Sequence, residues 1–350
     1  MSRTPAGRRI FFAAVITLAA LAGLELGLRL IDFTCQRSLS YMQFNFPRPN
    51  ELYQVFEPDP ELLWRMRPGF NFGEGFEPLN HEGFRGPEFK AQKAAGALRI
   101  ACLGDSVTFG RPDAAYPALL SEELTKELGR PVEAINFGVP GYSSWQGRKL
   151  LPRVLDQYHP DVVIIMFGWN DHWLAKGFAD QDQIVGDSDA AGLLAPLRAL
   201  RTYQLLNKIV ARVRAAVSLP PLTMRVAPDD YHANLVKMIG ECRAAHVLPL
   251  IALAPSAIVA GKAPEFMTAL EFIRAPADLQ RFHNQYNDIA RGAARETGAP
   301  LIDLDLLFSD WPAKDLFEDP DQDVIHPNRE GYLLVAGALA KAVEEQIAAK

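Results

Sequence analysis

The sequence predicts an α/β protein with a central parallel sheet, preceded by an N-terminal membrane anchor, and three observations lead there. From residue 97 onward, short and nearly unbroken apolar runs alternate with amphipathic stretches. Loops rich in Gly, Asp, Ser and Asn follow the strand signals. The first thirty residues carry an arginine-flanked apolar run that fits no globular core. Parallel strands covered by helices on both faces bury both sides, so they read as continuous apolar runs instead of alternation.

At the N-terminus, Arg3, Arg8 and Arg9 precede Ile10–Leu24; Glu25 interrupts the run and Leu26-Gly27-Leu28 and Leu30-Ile31 continue it. A helix from Ile10 to about Leu30 has the roughly 20 residues needed to span a bilayer. Residues 1–31 therefore read as a cytoplasmic n-region and a transmembrane signal anchor, while Ala20-Leu21-Ala22 keeps a cleaved secretory signal open. The positive-inside rule leaves the arginines in the cytoplasm and exports the rest, into the periplasm if the cell is Gram-negative.

Residues 32–96 are punctuated by Pro47, Pro49, Pro58, Pro60, Pro68 and Pro78, which excludes long helices and predicts an extended collar. Within it, Asn80–Pro87 reads as a turn that pins the collar to the body. Residues 97–350 form the main domain. Its strands are expected at Leu98–Leu103, Val132–Phe137, Val162–Phe167, Leu248–Leu253 and Leu301–Leu304. Its helices are expected at Tyr116–Leu128, Trp145–Gln157, Tyr231–Ala245, Leu279–Glu296 and Arg329–Ala348. An insertion at about 172–228 shows no strand pattern; its helical run, Leu193–Val217, carries Arg198, Arg201, Lys208, Arg212 and Arg214. Such an insertion after a sheet strand is expected to form a lid or wall beside the site.

The net charge of −6 and the lack of a Lys/Arg run with interleaved aromatics argue against nucleic-acid binding. Three cysteines give no disulfide framework, and Cys102 and Cys242 read as buried thiols. His81, His159, His232, His246 and His283 have no Asp, Glu or Cys at a spacing that suggests zinc, so neither a metal nor another cofactor is expected.

Four loops carry groups that acyl transfer needs. Gly104-Asp105-Ser106 places a serine where the first strand breaks, a position suited to a nucleophile. In Asn136–Ser144, Gly141 can bring a backbone N–H close to a substrate; Gly138 is also available, but Gly141 stands just before the helix start at Ser143-Ser144. In Gly168–Asp171, the Asn170 amide can donate a second hydrogen bond. In Asp323–Asn328, His326 can take the Ser106 proton while Asp323 holds its other nitrogen. Loops at the carboxyl ends of parallel strands converge on one edge, which makes the joint placement informative. Asp105 and Asp171 read as loop-fixing residues; Trp169, His172 and Trp173 read equally as a sugar-binding wall or as core.

In this order the four segments resemble the signature blocks of the GDSL-type esterases, the SGNH hydrolase superfamily, from about Ile100 to Asn328. The resemblance implies a flavodoxin-like three-layer α/β/α sandwich and metal-free ester hydrolysis. It also implies a catalytic Ser106, Asp323 and His326, with an oxyanion hole from the Ser106 N–H, Gly141 and Asn170. The anchor, collar and insertion are not usual in that family; anchored versions resemble bacterial proteins of cell-envelope and exopolysaccharide modification. The expected function is a serine esterase acting on small acyl esters, O-acetyl groups on a carbohydrate above all. An O-acetyltransferase using the same site and a non-catalytic glycan-binding assembly protein stay open as alternatives.

Overall fold

The chain divides into two units, residues 1–42 with 184–220 and residues 43–183 with 221–350. The computed structural model describes residues 5–31, 33, 55–73, 75–176, 179–182, 200–206, 209 and 222–349. In the first unit, α1 (Pro5–Leu30) leaves most of its apolar side chains outside, with Ile10 71% and Ile16 68% exposed, while Leu28 is buried. Gly7–Leu30 is apolar and long enough to cross a membrane: its 24 residues rise ~36 Å against a hydrocarbon core of ~30 Å. Residues 201–206 of the same unit are helical.

The second unit begins with a hairpin, β1 (Phe56–Asp59) against β2 (Leu63–Met66), whose turn is closed by Asp59 Oδ1 accepting from Glu61 N and Leu62 N. Asn80–Pro87 joins the body as expected of a pinning turn. Arg85 Nη1 donates to the carbonyls of Phe109 and Arg111, and Phe84 packs edge-on against Phe137.

The main sheet contains β3 (Leu98–Gly104), β4 (Val132–Gly138), β5 (Val162–Met166), then, beyond the insertion, two more strands. A short ribbon, β6 (Leu174–Lys176) antiparallel to β7 (Leu222–Met224), closes the base of the insertion. It corrects the expectation of a strandless segment: three residues are too few to show a period. The sheet ends with β8 (Leu248–Leu253) and β9 (Leu301–Asp303). Its order is β4-β3-β5-β8-β9, with every neighbouring pair parallel. Counted within the sheet that is 2-1-3-4-5, the flavodoxin-like doubly wound order.

Both β3 and β5 are buried along their whole length. Leu98, Ile100 and Cys102 share one face with Val162, Ile164 and Leu250, each branched side chain contributing about 1.5–3 kcal/mol by leaving water. That face meets α2 (Ser106–Phe109), α3 (Tyr116–Leu128) and the C-terminal helix. The opposite helix layer contains α4 (Ser144–Tyr158), α5 (Pro228–Ala244) and a long helix, Pro276–Thr297. The chain changes face between β3 and β5, which opens a crevice at their carboxyl ends. The nucleophile candidate follows β3 and the amide candidate follows β5.

Candidate active site

Asp105 caps α2, the single turn Ser106–Phe109, by accepting from Val107 N at 2.9 Å. Gly104 is required at this strand end, because a Cβ there would strike the Thr108 side chain and stand 2.8 Å from the Met166 carbonyl. Ser106 is thus the first helical residue, half-buried, with its N–H outside the intrahelical ladder.

Across 220 residues of sequence, His326 Nε2 lies 2.8 Å from Ser106 Oγ. His326 Nδ1 lies 2.8 Å from Asp323 Oδ2, while Asp323 Oδ1 accepts the backbone N–H groups of Ile325 (2.9 Å) and His326 (3.1 Å). That turn holds the carboxylate and the ring together just before the C-terminal helix, Arg329–Ala348, which Asn328 caps. Burial pulls the Asp323 carboxyl up, but the His326 hydrogen bond and charge and the two backbone donors outweigh it and hold it below its ordinary value. With Nδ1–H donated to that carboxylate, Nε2 is left to accept the serine proton.

Val139-Pro140-Gly141-Tyr142 forms a β-turn: Tyr142 N donates to Val139 O at 3.0 Å, proline stands second and Gly141 third with φ +82°. This is the type II pattern, which only glycine adopts without strain at the third position. The turn's hydrogen bond does not use the Gly141 N–H. Gly138, the other glycine available, donates its N–H to Asn136 Oδ1 and sits tight against the Thr108–Phe109 backbone. Asn170 is buried, and its amide donates to Tyr142 O (3.0 Å) and Asp105 Oδ2 (3.1 Å). One network therefore ties the Gly141 turn, Asn170 and the residue before Ser106. Burial pushes the Asp105 carboxyl up to about 6.

A second carboxylate supports the same loops. Asp171 accepts from Ser144 N at 2.9 and 3.2 Å, fixing the start of α4, and burial pushes it up to about 7. The folded state thus retains a proton that an unfolded carboxyl releases near pH 4. The associated stability is present below about pH 4 and is lost as pH rises through about 7, on the order of 4 kcal/mol over that window. Asp171→Asn is expected to lack this slope. In thermal melts of the detergent-solubilised chain, its Tm relative to wild type rises between about pH 5 and about pH 8; a pH-independent difference would contradict the assignment.

Sequence reasoning missed the buried pair Asp180–Arg225. Arg225 Nε and Nη2 donate to Asp180 Oδ1 (3.1 Å) and Oδ2 (2.8 Å), and Nη1 donates to Gly141 O at 2.8 Å. Ser143 Oγ donates to Asp180 Oδ2 at 2.6 Å. A buried ion pair is tolerated when its remaining donors and acceptors are bonded in this way. No local sequence signal marks it, because the partners stand 45 residues apart, near the two ends of the insertion. The collar also reaches this loop: Tyr142 OH donates to Trp64 O, and Gln146 Nε2 to Leu62 O. Trp169, His172 and Trp173 are buried, which decides for core over a sugar-binding wall. Burial, then the neighbouring His283, hold the His172 ring well below its ordinary range and neutral.

A family model described as GDSL-like lipase/acylhydrolase matches residues 102–334, about two-thirds of the chain. The chain belongs to that family. Every segment of the site described above falls within the matched residues. Among curated relatives, the chain is 30% identical over 142 residues to thioesterase 1/protease 1/lysophospholipase L1 of Escherichia coli, covering 40% of this chain and 56% of that protein. It is 37% identical over 76 residues to an arylesterase of Vibrio mimicus, covering 21% of this chain and 38% of that one. The chain thus spans about half the length, or less, of these relatives. Among solved structures, a lipase/acylhydrolase from Enterococcus faecalis aligns with a TM-score of 0.46 at 19% identity, covering 71% of this chain and 96% of that one.

Proposed function

We propose that this GDSL-family protein is a serine ester hydrolase, held at a membrane by α1 with its catalytic domain outside the cytoplasm. Its proposed substrates are small acyl esters, O-acetyl groups on a carbohydrate above all. The observation that carries the chemistry is the pair of 2.8 Å contacts running from Ser106 Oγ through His326 to Asp323. Ser106 Oγ attacks the ester carbonyl while His326 Nε2 takes its proton, and Asp323 stabilises the imidazolium. The oxyanion forms against the N–H groups of Ser106 and Gly141 and the Asn170 amide, which turns one of its two N–H bonds, now made to Tyr142 O and Asp105 Oδ2, toward the oxyanion. His326 then protonates the leaving alcohol, and water, activated by the same imidazole, releases the acid and restores Ser106.

The polar alcohol is proposed from an open cleft of 530 Å³ along the segment after His326, beside and not lined by the Ser106–His326 pair itself, with Arg111, Asp113, Lys314, Glu318, Asn328 and Arg329 among its lining. Such a lining suits a hydroxyl-rich group and gives little contact to a long acyl chain. The thioesterase and arylesterase names of the two relatives describe the same acyl-transfer step on other leaving groups.

The reading is tested by fluorophosphonate labelling of the full chain, followed by turnover of p-nitrophenyl esters of increasing chain length and of acetylated polysaccharide. Labelling lost in Ser106→Ala, with acetate released from the polysaccharide, supports it. Equal labelling of wild type and Ser106→Ala sinks the chemistry. A preference for long acyl chains sinks the substrate class, and acetyl transfer to added glycan without free acetate points to a transferase. Asn170→Ala is expected to lower kcat by about 10²–10³ and to lower Tm by a few degrees, because it removes an oxyanion donor and also the donor to the buried Tyr142 O and Asp105 Oδ2. Steady-state kinetics beside a thermal melt measure both.

A further inference from the structure

Glu25 is the one carboxylate within the apolar stretch of α1, and both of its oxygens accept hydrogen bonds. Its Oε2 accepts from Thr202 N (2.9 Å) and Thr202 Oγ1 (3.0 Å). Its Oε1 accepts from Arg201 N (3.1 Å) and Arg29 Nε (2.8 Å). Arg201 and Thr202 open the helical segment 201–206, so Glu25 caps that segment from another part of the chain. The first N–H groups of a helix have no internal acceptor, and a carboxylate is their best partner.

The depth of Glu25 explains why it is tolerated. It stands five residues before Leu30, about 8 Å from the outer end of α1, with Arg8 and Arg9 at the opposite end. A carboxylate in hydrocarbon is expensive unless paired, and near the rim it is paired here four times. The capped segment is itself amphipathic. Leu206 is 56% exposed and Ile209 48%, and Leu200 is also exposed, beside Arg201. In the adjoining sequence, outside the described residues, Arg198, Lys208, Arg212 and Arg214 add positive charge.

We propose that residues 200–206, with Ile209, are a second membrane contact. Capped onto the outer end of α1 by Glu25, this segment lies in the headgroup layer, its leucines and Ile209 against acyl chains and Arg201 toward anionic lipid. An apolar face flanked by basic residues is what binds an interfacial helix to an anionic bilayer. The segment is then a membrane-seated foot of the insertion, and α1 is retained in the mature protein, since cleavage after Ala22 would remove the span that the foot is built on. The proposal rests on α1 as a retained span and is independent of the esterase chemistry.

The test uses the full chain in a Cys35→Ser background, reconstituted into phosphatidylethanolamine–phosphatidylglycerol vesicles. An environment-sensitive fluorophore is placed singly at Leu206→Cys, at Leu18→Cys within α1, and at Val259→Cys, which is 51% exposed in the other unit. Lipids brominated near the headgroup end of the acyl chain are expected to quench the label at 206 severalfold more than that at 259, with aqueous iodide ranking them in reverse. Omitting phosphatidylglycerol is expected to weaken the lipid quenching at 206 and leave that at 18 unchanged. Glu25→Ala is expected to lower it as well, and quenching that survives this change overturns the capping role. If the label at 18 is quenched by lipids brominated deep in the chain while 206 behaves like 259, the foot is overturned and the anchor stands. If the label at 18 is also in water, the anchor reading has failed and the proposal with it.

Discussion

Ser106→Ala is expected to lower kcat by about 10⁴–10⁶ and to abolish fluorophosphonate labelling, while the protein folds as before. The hydroxyl removed is the group 2.8 Å from His326 Nε2, and without it no covalent acyl intermediate forms. What survives is attack by water in the oxyanion hole, worth about 10³–10⁴ over the uncatalysed reaction. The structural loss is small, because Ser106 is half-buried and α2 is capped by Asp105, which the change leaves in place. One hydrogen bond contributes about 0.5–1.5 kcal/mol. Initial rates on p-nitrophenyl acetate together with a thermal melt check the expectation. A folded variant within tenfold of wild type would remove Ser106 from the chemistry.

Asp323→Asn is expected to cost about 10⁴ in kcat, for a reason that separates orientation from charge. An asparagine in the same rotamer can still accept the backbone N–H groups of Ile325 and His326 through Oδ1. Its NH₂ then faces His326 Nδ1, where the wild type presents an acceptor oxygen at 2.8 Å. The ring must offer a lone pair at Nδ1, which moves its proton to Nε2 and points a donor at Ser106. The base is lost without displacement of any side chain. The same substitution removes an acid-side contribution to stability. The Asp323 carboxyl is held below its unfolded value, so wild type has this stability above about pH 4 and loses it as pH falls through the lowered folded value. The variant's melting temperature should show less of that fall. Loss of turnover without the change in acid sensitivity would contradict the ionised, His-bonded Asp323 described here.

Much of this was legible before any coordinates. Tyr116–Leu128 and Arg329–Ala348 match their helices residue for residue, and β8 matches Leu248–Leu253. Buried parallel strands and long amphipathic helices write their periods over many residues, so a local window suffices to find them. The four loops were legible because glycine, proline and short polar side chains cluster where strands end. The ribbon β6–β7 was not, since Leu174–Lys176 and Leu222–Met224 are short and pair across the insertion. Asp180 and Arg225 escaped for the same reason: each is an ordinary charged residue until the other is placed beside it. Trp169, His172 and Trp173 looked the same as wall or as core, because side-chain type does not say which way a loop turns.

By itself, then, the sequence determined the candidate groups for acyl transfer and that Ser106, Gly141 and Asn170 each follow a strand of the sheet. It did so because secondary structure and turn chemistry depend on neighbours a few residues away. The tertiary structure alone decided the order 2-1-3-4-5, which sets the loops after β3 and β5 on either side of one crevice. It decided that His326 reaches Ser106, that Gly138 packs against the Thr108–Phe109 backbone while Arg225 holds the Gly141 carbonyl, and that Glu25 caps a helix start. These contacts join residues scores of positions apart. They are set by packing and by the bonding of buried polar groups, and no local pattern encodes them.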